Sequence, residues 1–143
     1  MSRENVLEQL KTLETELHDQ LNLARFETLM MLVSSASNEE AITCANMRFD
    51  NIREVFNKRI SLIMDEYDRD NKELENYLDR NMDILTDLNE SDEIRAISKE
   101  NLDMLNIRME MSDREREALT TFNDNVNKLI DETKEFVIDT FTK

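Results

Sequence analysis

Residues Ser91–Lys143 read SDEIRAISKENLDMLNIRMEMSDREREALTTFNDNVNKLIDETKEFVIDTFTK, and neither glycine nor proline interrupts them. At a rise of 1.5 Å per residue this stretch predicts a rod of about 75 Å. Leu105, Leu119, Phe122, Val126, Leu129 and Phe136 recur at alternating threes and fours, the spacing of a heptad seam. Met104, Ile107, Met111 and Ala118 form a neighbouring stripe, while Ile130, Val137, Ile138 and Phe141 broaden the apolar face near the end. A helix with more apolar face than one partner can cover is where an all-helical protein with few loops is expected to carry its function.

Composition points the same way. The 143 residues contain no glycine and no proline. Glycine supplies the positive φ angles of hairpin turns and phosphate-binding loops, so folds built on such turns are disfavoured. The length suits one domain, and no linker, repeat or low-complexity tract divides it, so residues 1–143 read as a single helical domain.

Three helices are expected. Over 3–33, Val6, Leu10, Leu13, Leu17, Leu21 and Ala24 space out a core stripe, which Phe26, Leu29, Met30, Leu32 and Val33 thicken. Ser34, Ser35 and Ser37 then break the pattern. Ser37-Asn38-Glu39-Glu40 is a capping box that starts the second helix. Its stripe, Ile42, Ala45, Phe49, Ile52, Phe56, Ile60 and Ile63, continues more loosely through Tyr67, Leu74, Tyr77, Leu78, Met82, Leu85 and Leu88. The pattern fits one helix over 38–88, bent near Asp68–Lys72, or two helices divided there. Asn89 or Ser91 caps the third helix, 91–141, with acids in its first turn. The expected fold is all-α: an elongated antiparallel bundle or coiled coil of three helices, two of them long.

The charge balance, 33 acidic against 18 basic residues with a net charge of −15 and a pI near 4.4, repels nucleic-acid phosphates and anionic headgroups. No nucleic-acid partner and no stable membrane insertion are therefore expected; the longest apolar run, Leu29–Val33, is far short of a span. One cysteine and an opening MSRENVLEQL without an apolar signal core predict a cytoplasmic protein.

Chemistry-bearing patterns are sparse. Di-iron bundles use repeated Glu-x-x-His, but the one histidine, His18, follows Thr15 at that offset. Asp65, Asp68 and Asp70 lack the central glycine of a calcium loop. Cys44, between Thr43 and Ala45 and close to the buried stripe, has no second histidine to complete a triad and reads as a small buried hydrophobe. No metal, cofactor or catalytic residue is assigned, and a non-enzyme is expected. The nine methionines mostly fill helix stripes. The cluster from Met104 to Met111 suits an adaptable contact face.

Glu27-Thr28-Leu29-Met30 closes the first helix, Asn57-Lys58-Arg59-Ile60-Ser61-Leu62 lies in the second, and Asn101-Leu102-Asp103-Met104-Leu105-Asn106-Ile107-Arg108-Met109 lies in the third. This layout resembles the FlgN family of export chaperones, which serve flagellar and type III secretion systems. The matched positions are Asn101, Met104, Leu105 and Arg108; methionine stands at 104 and 109 where the family usually has leucine, and the spacing to Ala118-Leu119 matches loosely. The resemblance implies a cytoplasmic chaperone whose C-terminal helix binds an amphipathic helical segment of a client such as a hook–filament junction protein. The expected partner-binding residues are Asn101, Met104, Leu105, Ile107, Arg108, Met109, Met111, Leu119, Phe122 and Val126. Heptads also permit a homodimer, so a self-associating structural coiled coil is one alternative, and a regulatory bundle sensing a small ligand is another. The tail from Val126 to Phe141 reads either as bundle core or as a segment that orders on a client.

Overall fold

A computed structural model of the chain describes residues 6–34 and 37–142. The expected helix start at residues 3–5 and Ser35 lie outside the described residues, as do the side chains of Leu32 and Phe141. Among the described residues the fold is all-α: α1 spans Val6–Val33, α2 Asn38–Thr86 and α3 Asp92–Thr142. Helix α2 runs through Asp68–Lys72 as one element, because nothing in that polar stretch removes a backbone donor or forces a positive φ.

The turns are made without glycine. The Ser37 hydroxyl accepts from the Glu40 N–H (3.1 Å), and its carbonyl takes the first helical bond, from Ala41 (3.0 Å). Ser91 repeats the device on α3, accepting from Ile94 at its hydroxyl (3.3 Å) and from Arg95 at its carbonyl (3.1 Å). Between α2 and α3 the Asp87 carboxylate accepts from the Asn89 N–H (2.9 Å), an Asx turn. Arg95 donates from Nε to the Leu85 carbonyl (3.2 Å), satisfying one orphan acceptor of α2 and placing a cation where the helix dipole favours it.

The contacts gather into two compact units. The first, 1–62 with 119–143, packs α1 against the first half of α2 and the second half of α3. Its buried residues keep heptad spacing: Leu10, Leu17 and Ala24 on α1, Phe49 and Phe56 on α2, and Leu119, Val126, Ile130 and Val137 on α3. Ala24, Ala41 and Ala45 are fully buried, and such small side chains let helix backbones approach closely. Polar ties show that α2 runs antiparallel to both α1 and α3 in this unit. Arg53 donates to Asn127 (2.9 Å) and pairs with Asp131, and Lys134 sits 3.5 Å from Asp50. Arg48 donates to Gln20 (3.0 Å), while its Nε is 3.3 Å from Glu27, close enough for an ion pair but not aligned for a hydrogen bond.

Glu16 accepts a hydrogen bond from Arg59. That bond, reinforced by the guanidinium charge, outweighs partial desolvation and holds the Glu16 carboxyl below the ordinary glutamate value. A lowered folded value stabilises the fold above the ordinary glutamate range, and the contribution is lost as the pH falls through the folded value. Glu16→Gln should therefore lower the urea midpoint slightly near neutral pH, by the modest amount of an exposed pair, and not at all in strong acid. Urea titrations of both proteins from about pH 7 to about pH 2 check this.

Two expectations about unit 1 are corrected. Phe26, Leu29, Met30 and Val33 are exposed, because Leu21, Ala24 and Thr28 take the inward positions and Phe26 falls 200° away from Ala24 at 100° per residue. Cys44 is exposed as well, since Ala41 and Ala45 occupy the seam beside it. Thr28 is buried with its hydroxyl bonded to the Ala24 carbonyl (2.7 Å).

Candidate functional site

Unit 2, residues 63–118, is an antiparallel hairpin of two helices: the rest of α2, the turn at 87–91, and α3 as far as Ala118. Two amphipathic helices can hide only the faces they turn toward each other. The buried positions are correspondingly few, and three of the five are polar: Tyr67, Ser98, Leu102, Ser112 and Glu115. Ile63, Met64, Leu74, Leu78, Ile84, Leu85, Leu105 and Met109 are half-buried beside them.

One side of α3 stays apolar and open. Met104 is 70% exposed, Ile107 62%, Ile97 57% and Met111 51%, with Ile94 at the N-terminal end. Ile97, Met104 and Met111 are seven residues apart, so they form a continuous line along the helix. Tyr77, Met82 and Leu88, expected on the stripe of the second helix, are also exposed, because two helices bury only the faces they share; Arg80 stacks over the Tyr77 ring at 5.8 Å. Asn101 donates to Asn81 (3.2 Å), which joins the 77–81–84 face of α2 to the 97–101–104 face of α3.

Polar groups tie the hairpin together. The Tyr67 hydroxyl donates to the Ser112 carbonyl (2.8 Å). The Ser112 hydroxyl donates to Asn71 Oδ1 (2.8 Å) and lies 3.1 Å from the Tyr67 oxygen. Within α3, Arg108 donates to Glu115 (3.0 Å), whose side chain is 6% exposed and would otherwise be a buried carboxylate without a counter-charge.

The ten expected partner-binding residues therefore separate into groups. Met104, Ile107 and Met111 lie together on the exposed stripe, whereas Leu105 and Met109 are half-buried toward α2. Asn101 is exposed but bonded to Asn81, and Arg108 is paired with Glu115. Leu119 and Val126 are fully buried in unit 1, where the heptad seam they belong to is the core itself; they offer no surface. Phe122 is half-buried in that unit. Ile94 and Ile97 were missed, although Ile97 lies seven residues from Met104 on the same line and Ile94 three residues before Ile97 beside it.

Two open clefts lie between α1 and α2. One of about 280 Å³ is lined by Glu16, Asp19, Gln20, Arg48, Asn51 and Arg59 among others, and its arginines are engaged by Glu16 and Gln20. A second, of about 380 Å³, lies beside Thr28, Met31, Cys44 and Met47. His18 is exposed. Among the described residues no group of three histidine, cysteine or acidic side chains is placed to hold a metal ion, and no helix is long and apolar enough to cross a membrane.

Compared with protein-family models, with curated proteins and with solved structures, the chain matches none. The site has to be read from its own residues.

Proposed function

We propose that this chain is a non-catalytic export chaperone, in the manner of the FlgN-like proteins it resembles, acting in the cytoplasm on a flagellar or type III secretion client. The client contributes an amphipathic helix that lies along α3 between Ile94 and Met111 and completes a three-helix arrangement in unit 2. The observation that carries this reading is the exposed line Ile97–Met104–Met111 on a unit of only two helices. Amphipathic helices recognised in a groove present anchors at matching offsets of three, four and seven residues. Methionine suits the task because its unbranched thioether adapts to differing partners.

The direct test is to mix the purified chain with hook–filament junction proteins and follow elution volume and mass by light scattering. A co-eluting complex is expected. Unchanged profiles for both components would overturn the proposal.

The seven-residue spacing also suits self-pairing of two copies, the structural coiled-coil reading. Charge weighs against it. Eighteen of the 33 acidic residues but only eight of the 18 basic ones fall between Ile63 and Ala118, so this unit carries −10 of the chain's −15. Bringing two such units together sets like charges side by side, which is costly at an interface. A dimer that persists on dilution and is broken by Met104→Glu would favour the structural reading.

A further inference from the structure

We infer that the helix received by the α3 stripe is cationic: apolar along one line, and carrying lysine or arginine on the flank that overhangs Glu93, Glu100, Asp103 and Glu110. The inference rests on the reading that this stripe holds a helix, and it specifies the chemistry of that helix. Each of the four acids is three or four residues from a stripe member, so it stands beside it on the helix surface: Glu93 and Glu100 beside Ile97, Asp103 and Glu110 beside Ile107. All four are exposed. Among the described residues, none of the four carboxylates is in a side-chain hydrogen bond or ion pair.

The basic residues of the same segment do not neutralise that flank. Arg95 and Arg108 are engaged with Leu85 and Glu115, while Lys99 and Arg114 stand four residues from Asp103 and Glu110; Glu93 and Glu100 have no basic residue three or four positions away, so the flank stays net negative. A row of unpaired carboxylates beside an apolar stripe, in a unit of net charge −10, favours a positively flanked partner and repels an acidic one. The discrimination comes as much from the repulsion as from the attraction. A second copy of this chain would bring its own carboxylates to the contact and is disfavoured on the same ground.

The probes are synthetic helical peptides of about 18 residues, which at 1.5 Å per residue match the ~27 Å from Ile94 to Met111. They share one leucine line and differ only in flanking lysine or glutamate; binding to the full chain is read by fluorescence anisotropy. At low salt the lysine-flanked peptide is expected to bind about tenfold more tightly, the combined effect of several exposed ion pairs. The gap should close near 1 M salt, where screening acts over about 3 Å. Glu100→Lys with Asp103→Lys and Glu110→Lys should reverse the preference, with unchanged helicity by circular dichroism showing that the variant is folded. Equal binding of both peptides, lost in Met104→Glu, would overturn the cationic inference while leaving helix binding intact. Binding of neither peptide, or self-association through the stripe that Met104→Glu abolishes, would overturn both.

Discussion

Phe49→Ala is expected to cost unit 1 about 3–5 kcal/mol, the range for deleting a fully buried aromatic ring and leaving a cavity. Phe49 is fully buried, the largest side chain at that level of burial, on the stretch of α2 that α1 and α3 flank in this unit. Small domains are stable by about 5–15 kcal/mol, so such a loss removes a large share of the total. With urea slopes of about 1–3 kcal/mol per molar, the midpoint should fall by 1 M or more. The control is Phe26→Ala, the same chemical deletion at a side chain that is 61% exposed. It should change stability by no more than about 0.5 kcal/mol. Equal losses at both sites would mean that the outer face of α1 is covered in solution.

The second large effect is on binding. Met104→Glu with Met111→Glu should weaken client binding by about 100-fold or more, equivalent to about 2.7 kcal/mol. Two carboxylates would have to be desolvated against the client's apolar line, whereas anchors at the centre of an interface commonly contribute 2 kcal/mol or more each. Glutamate and methionine have similar helix propensities, and both sites are largely open to solvent, so the melting temperature should stay within a few degrees. Isothermal titration calorimetry and a thermal melt on the same samples separate the two. Undiminished binding would place the client elsewhere. Binding and folding lost together would mean that these methionines are core after all.

Much of the fold was legible in the residues because its signals are local. Heptad spacing located three helices, the absence of glycine and proline kept α2 whole, and Ser37 and Ser91 marked the starts of α2 and α3 within a residue or two. What the periodicity does not carry is which of two apolar stripes on one helix faces inward. Leu119 and Val126 were grouped with Met104 and Met111 for that reason, although the first pair is core and the second is surface. Phe26, Met30 and Val33 failed in the opposite sense: α1 is apolar on both faces near its end, and only tertiary packing selects one of them. Arg108 was counted as a recognition residue from the family resemblance, whereas its counter-charge, Glu115, stands two turns along and becomes its partner only in the folded helix. The bonds of Tyr67 and Asn71 to Ser112 cross more than 40 residues of sequence and leave no local trace.

Those bonds bear on alignment. Two heptad helices can slide past each other by seven residues and still match leucine to leucine, so an apolar hairpin has several near-equivalent settings. Here a slide of one heptad would bring Leu105 or Leu119 to the place of Ser112, opposite the Tyr67 hydroxyl and Asn71. Each buried polar group left without its partner costs about 1–3 kcal/mol, enough to make the shifted settings rare. The polar cluster thus acts as an index mark on the hairpin: it selects one setting of α3 against α2, and with it which side of α3 Ile97, Met104 and Met111 present to solvent.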